Sequence, residues 1–202
     1  MFPECVHRYT YADYYKRVCQ LAHALKSLGI KRGDRVASIA LNDHRHLELY
    51  FGVPCSGAVL HTVNFRLPMN HLVYVINHAE DQVIFVDEDL LMFVEMIKDQ
   101  LKTVKYIVVL SHTGKKPTSS IPNLVMYDEL IGQFPEEYDF PADLSEWDPA
   151  VMCYTSATTG DPKGVVYSHR TTFVHSLASR ATDTFGVSEH DRILLLPSMF
   201  HA

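Results

Sequence analysis

Arg35-Val36-Ala37-Ser38-Ile39-Ala40-Leu41 is a short apolar run entered through the Gly33-Asp34 turn, and the segments on its carboxyl side decide the fold. Asn42 or Asp43 can cap a helix from about His44 to Gly57, after which Ala58-Val59-Leu60-His61-Thr62-Val63 returns as a second strand. Parallel neighbours in a sheet need a crossover, usually helical, so strand–helix–strand is the repeating unit of a parallel sheet.

The same rhythm continues on either side. Upstream, Thr10-Tyr11-Ala12-Asp13 has the form of a helix start, with Thr10 as cap and Asp13 near the third helical position. Tyr14, Val18, Leu21, Leu25 and Leu28 then recur at helical spacing until Gly29 stops the run. Downstream, Leu72 to His78 reads as helix, Gln82 to Val86 as strand, Leu90 to Leu101 as helix and Tyr106 to Leu110 as strand. The expected class is α/β, a parallel-rich sheet flanked by helices on both faces, which binds ligands outside the carboxyl ends of its strands. Ser111 to Asp148 is looser, with a turn-rich Gly114–Ser120 loop and prolines at 135, 141 and 149. It is expected to carry the chain from one sheet to the next structural layer.

Composition narrows the function classes. The chain has 202 residues, 47% apolar and 21% charged, and 18 basic against 24 acidic residues give a formal charge of −6. Lys31–Arg32 and Lys115–Lys116 are isolated doublets, so the clustered basic face of a nucleic-acid binder is missing. Cys5, Cys19, Cys55 and Cys153 share no metal or redox spacing, and reduced thiols in a cytoplasmic protein are expected. The start MFPECVHRYT lacks the pattern of a signal peptide, and no apolar run reaches transmembrane length. His44-Arg45-His46 invites a metal reading, but residues two apart on a helix do not share a face.

One segment carries chemistry: Tyr154-Thr155-Ser156-Ala157-Thr158-Thr159-Gly160-Asp161-Pro162-Lys163-Gly164-Val165. The apolar strand Ala150–Cys153 leads in, Val165-Val166-Tyr167 leads out, and Ser168-His169 can cap a helix to about Phe185. Hydroxyls and a row of backbone N–H groups donate to phosphate oxygens at short range. Gly160 and Gly164 let the backbone turn and come close, Pro162 stiffens the turn, and Lys163 supplies a positive charge. The order of residues is neither that of a Walker A loop nor that of a dinucleotide fingerprint. Ser, Thr, Gly and Pro also cluster in ordinary turns, but a hydroxyl/glycine run ending in Pro-Lys-Gly favours a polyphosphate.

At these residues the sequence resembles the adenylate-forming superfamily, whose phosphate loop reads Tyr-Thr-Ser-Gly-Thr-Thr-Gly-x-Pro-Lys-Gly. Within it, Arg45 to Val53, Gly57 to Thr62, Asn77 to Asp81 and Gly164 to Arg170 are similar to the medium- and long-chain fatty acyl-CoA synthetases. The resemblance implies the N-terminal subdomains of that enzyme fold, incomplete, with 1–148 a first α/β portion, 149–202 the phosphate-loop portion, and the C-terminal lid domain absent. It implies a two-step reaction: a fatty acid carboxylate attacks the α-phosphate of ATP to give an acyl-adenylate and pyrophosphate, and coenzyme A then takes the acyl group and releases AMP. By match to the loop, Thr155, Ser156, Ala157, Thr158, Thr159, Gly160 and Lys163 would hold the β- and γ-phosphates. Thr155 and Lys163 would act in catalysis, and Thr155 would also touch Mg²⁺, a hard ion that takes oxygen ligands.

Ala157 departs from the family, which has glycine there. The run Pro197-Ser198-Met199-Phe200-His201-Ala202 resembles a second family motif that lies beside the carboxylate substrate, which would make His201 a substrate-binding residue; a histidine packed beside an apolar strand reads equally well. Leu194-Leu195-Leu196 is expected as an apolar strand without a neighbour, which invites pairing with another chain, a homodimer included. The expectation is therefore a fatty acid–CoA ligase present as a truncated, inactive piece. The alternatives are a non-enzymatic nucleotide-binding or dimerising module, and a ligase for another acid, aryl or short and sulfur-containing.

Overall fold

Helix α1 (Tyr11–Ser27) begins where the sequence places it. Thr10 Oγ1 accepts the Asp13 amide while the Asp13 carboxylate accepts the Thr10 amide, so two amides without helical partners are satisfied. In this computed structural model, which describes residues 7–155 and 160–201, the chain then alternates strand and helix. The order is β1 (Arg35–Ile39), α2 (His44–Cys55), β2 (Val59–Thr62), α3 (Met69–Ala79), β3 (Val83–Asp87), α4 (Leu91–Ile97) and β4 (Tyr106–Leu110). Asp43, rather than Asn42, caps α2 through the His46 amide.

The strands form one sheet, ordered β5-β4-β3-β1-β2-β6-β7, in which β5 is Val125–Met126, β6 is Pro149–Thr155 and β7 is Lys163–Ser168. Every neighbouring pair is parallel except β6 and β7, which form an antiparallel hairpin. Alternate residues of each strand enter opposite cores. Val36, Leu60, Phe85 and Val108 pack against α1, α2 and α5 (Tyr127–Ile131), whereas Ala37, Ile39, Ile84 and Val109 pack against α3 and α4. Strands buried on both faces explain why these segments read as continuous apolar runs. A buried ionic network ties α1, α2 and α5 together: Arg17 Nε is 2.7 Å from Glu48, whose other oxygen accepts the Tyr127 hydroxyl at 2.7 Å.

Three expectations change. The 111–148 region does not leave the sheet: it adds β5 at one edge, and the chain returns as β6 beside β2 at the other side. Helix α6 (His169–Ser179) ends well before Phe185, because the Thr184 hydroxyl turns back to the carbonyls of Ala178 and Ala181. Leu194-Leu195-Leu196 form no strand and are exposed, Leu194 to 79% and Leu196 to 78%. Strand character needs a ladder partner, and these residues have none among the described ones. Among the described residues no helix is long and apolar enough to cross a membrane.

Candidate functional site

Strands β6 and β7 bracket the loop that the sequence singles out. Thr155 closes β6, Lys163 opens β7, and the two residues pair across the hairpin. Thr155 Oγ1 donates to the Lys163 carbonyl at 3.4 Å. Paired residues of an antiparallel ladder project to one face, so Lys163 and the Thr155 hydroxyl stand on the same side. The Lys163 ammonium forms no ion pair among the described residues, which leaves its charge available. Gly160 has φ +88°, a left-handed backbone that a side chain would strain, and open space surrounds it. Ser156, Ala157, Thr158 and Thr159 lie outside the described residues.

A cleft of about 300 Å³ opens on the Thr155 face of the hairpin. Its walls include Cys153, Tyr154, Thr155, Val165 and Tyr167 from the hairpin, with Phe200 and His201 opposite. Period-2 alternation accounts for Cys153, Thr155, Val165 and Tyr167, since Cys153 pairs with Val165 and Val151 with Tyr167, while Tyr154 belongs to the alternate face and still lines the cleft. His201 is thereby brought to the same cleft as Thr155, while Lys163 stands at the hairpin stem outside its wall. The cleft sits at the carboxyl end of β6, where open α/β sheets receive ligands.

His201 is held there by groups far away in sequence. The Asn42 amide, just past β1, donates to the Pro197 carbonyl at 2.7 Å and accepts the Met199 amide at 2.8 Å. The Tyr50 hydroxyl donates to the Met199 carbonyl, and Thr62 Oγ1 donates to the Phe200 carbonyl at 3.4 Å. Phe200 is buried edge-on against Phe65, with ring centroids 5.0 Å apart. Local sequence offers Asn42 only as a helix cap and gives none of these contacts of Asn42, Tyr50 and Thr62, because each spans more than a hundred residues.

The opposite face of the hairpin is only partly covered, with Val166 54% exposed. Tyr154 points toward α3, where its hydroxyl is 2.7 Å from His78 Nδ1 and its ring lies 5.1 Å from that of His61. Gly164 pairs with Tyr154, and a Cβ there would meet the Tyr154 ring at 3.2 Å. Burial raises the Tyr154 hydroxyl to about 12, so it stays protonated. The two histidines of the His44-Arg45-His46 run go separate ways. His46 is buried, donating from Nδ1 to the Leu41 carbonyl at 3.1 Å and accepting the Ser38 hydroxyl at Nε2, 3.0 Å, whereas His44 stacks on His7. A second hollow, about 380 Å³ between α1, α2 and the 140–144 segment, has mainly apolar walls such as Val18, Phe51 and Leu144. It lacks the hydroxyl and cation pair of the hairpin.

The sequence pattern of the AMP-binding enzymes matches residues 4–202. The chain belongs to that family. It is 46% identical over 196 residues to a long-chain-fatty-acid–CoA ligase of Thermus thermophilus, covering 97% of this chain and 34% of the relative. It is 43% identical over 185 residues to a medium-chain-fatty-acid–CoA ligase of Ectopseudomonas oleovorans, covering 92% and 34%. The crystal structure of a putative long-chain-fatty-acid CoA ligase from Rhodopseudomonas palustris superposes with a TM-score of 0.77 at 25% identity, covering 92% of this chain and 44% of that one. The α/β sheet with its terminal hairpin is thus the fold of the N-terminal part of AMP-binding enzymes. The chain spans about a third of the length of the curated relatives it matches.

Proposed function

We propose that this chain supplies the phosphate loop and part of the acid site of an ATP-dependent fatty acid–CoA ligase. The observation that carries the reading is the hairpin itself: Thr155 pairs with Lys163 across the ladder and lines a cleft whose far wall holds His201. In this reading the β- and γ-phosphates lie against the loop from Thr155 to Lys163. Lys163 and the loop donors stabilise the charge that develops as the acid carboxylate attacks the α-phosphate and pyrophosphate departs. His201 donates a hydrogen bond to the incoming carboxylate and orients it for attack.

The described residues fit a magnesium ion modestly. Mg²⁺ is served by one or two protein oxygens, substrate phosphates and water, and the exposed Thr155 hydroxyl is such an oxygen. The ion would draw charge from the phosphate oxygens; the protein's own part is to place Thr155 and Lys163. Coenzyme A is included on the strength of the related ligases, as is a medium- or long-chain acid. The cleft is open, and α6 buries none of its residues, so water is not excluded from the site. For that reason the 202 residues alone are proposed to bind MgATP without completing thioester formation.

Acid-dependent exchange of pyrophosphate into ATP tests the reading, with acids from acetate to palmitate and with benzoate and 3-(methylthio)propionate as further arms. Exchange that rises with alkyl length supports a fatty acid. A maximum at the aryl or sulfur-containing acid replaces the substrate but keeps the chemistry. Absence of both exchange and MgATP binding removes the proposal.

A further inference from the structure

We propose that Asp81 and His61 are positioning residues that lock the register of the β6–β7 hairpin through Tyr154, and so present Thr155 and Lys163 to the phosphate chain. The inference rests on the reading of the loop as a phosphate site.

His61 on β2 and Asp81 just before β3 are both fully buried, and His61 Nδ1 donates to Asp81 Oδ2 at 2.7 Å. Val59, Ala79 and Met152 form a small apolar core on the same strands, and the Arg35 charge on neighbouring β1 acts on Asp81 without a hydrogen bond to its carboxylate. Burying such a pair is costly, and a well-packed apolar pair of similar volume often serves stability as well or better. The cost is visible in the structure, since His61 Nε2 and Asp81 Oδ1 are buried without a partner among the described residues. What the pair does fix is direction. The carboxylate accepts from Nδ1, which sets the tautomer and the plane of the imidazole, and the ring faces Tyr154 with centroids 5.1 Å apart.

Tyr154 is then gripped from three elements. His61 on β2 lies against its ring, His78 at the end of α3 meets its hydroxyl, and Gly164 on β7 leaves the space the ring occupies. A bulky ring opposite a residue without Cβ favours the observed register, since a Cβ at 164 would meet the ring at 3.2 Å. Register matters more here than elsewhere in the sheet. Among the described residues β7 has no partner beyond β6, and the ladder is already irregular between Pro149 and Val151. A slip of one residue exchanges the faces of a strand. It would send Thr155 to the α3 side and take the Tyr154 ring away from His61 and His78. Tyr154 immediately precedes Thr155, so the grip on its ring decides where the loop leaves the sheet.

The test compares Asp81→Leu, which removes the acceptor, with Asp81→Asn, which keeps an oxygen for His61 Nδ1. Amide hydrogen exchange is read at 154, 155 and 163–165 and, as reference, along β3 and β4; MgATP affinity is measured in parallel by calorimetry. The leucine variant should exchange at least tenfold faster at the hairpin and bind MgATP at least tenfold more weakly. The reference strands should change by less than twofold, and the asparagine variant should return both readouts to within threefold of wild type. Should Asp81→Leu fail to fold, Tyr154→Leu decides by the same exchange pattern, because that site is only partly buried. Exchange that accelerates equally across the sheet, or a hairpin that does not respond, overturns the proposal. A wild-type chain that binds no MgATP would count against the phosphate reading alone, and the exchange pattern would still decide the register lock.

Discussion

Asn42 and Met199 are 157 positions apart and joined by one hydrogen bond, the Met199 amide donating to Asn42 Oδ1 at 2.8 Å. Because the same side chain also donates to the Pro197 carbonyl, one residue past β1 fixes the turn that carries His201. Replacing Asn42 by alanine removes these bonds at an exposed position. The expected loss of global stability is about 1 kcal/mol. The local effect should be larger: the Met199 amide should exchange with solvent at least tenfold faster while β1 and β3 amides hold. An unchanged Met199 rate would show that Tyr50, Thr62 and the buried Phe200 suffice to seat the turn.

Arg17 and Glu48 make a stronger prediction. Glu48 is fully buried, and burial raises its carboxyl while Arg17 and the Tyr127 hydroxyl pull it back down. Arg17→Met leaves a buried carboxylate without its cation, which costs about 3–5 kcal/mol. For a chain of this size, that lowers the unfolding midpoint by about 10 °C, measured by calorimetric melting. Arg17→Met with Glu48→Leu should recover most of the loss; failure to recover would place the damage in packing rather than charge.

Two groups contribute to acid stability with opposite sign. Burial, aided by Arg45, lowers the His44 imidazole to about 4, below the unfolded value near 6.5. Between those values the unfolded chain binds the extra proton, so His44 makes stability fall as pH falls from about 6.5 to about 4. Burial raises the Asp87 carboxyl to about 6, so from about 6 down to its unfolded value near 4 the native state binds the extra proton and stability rises as pH falls. Urea midpoints across pH 4 to 7 should therefore decline less steeply in His44→Asn and more steeply in Asp87→Asn than in wild type. The same slope in all three would show that neither group is shifted.

Ala157 stands where the family carries glycine, and the sequence alone makes a prediction there. If the loop backbone at 157 requires φ > 0, alanine costs about 1 kcal/mol, roughly a fivefold loss of affinity. Ala157→Gly should tighten MgATP binding by about that factor in a calorimetric titration; equal or weaker binding rejects the idea.

Much of this architecture was legible where local rules decide. The Thr10–Asp13 box, the strand–helix alternation through Tyr106 to Leu110, and the strand–loop–strand around Thr155 and Lys163 all come from capping, period and turn chemistry. The failures fall where a partner decides. Leu194–Leu196 has strand composition but no ladder among the described residues, and α6 stops early because a threonine hydroxyl competes for its last carbonyls. The return of β6 to the same sheet depends on pairing with β2, which no local pattern encodes. Thr155 and Lys163 could be named from the loop motif. The contacts of Asn42 with Met199 and of His61 with Asp81 could not, since each joins residues distant in sequence.

The central claim is that the loop between Thr155 and Lys163 binds the phosphates of ATP. Calorimetric titration of MgATP into the chain and into its Lys163→Ala variant tests it most directly. Lys163 is exposed and its ammonium forms no ion pair among the described residues, so the substitution should leave the melting midpoint within about 2 °C. The account predicts saturable binding to the wild type and an affinity at least tenfold weaker in the variant. Equal affinities, or no binding to the wild type, would contradict it.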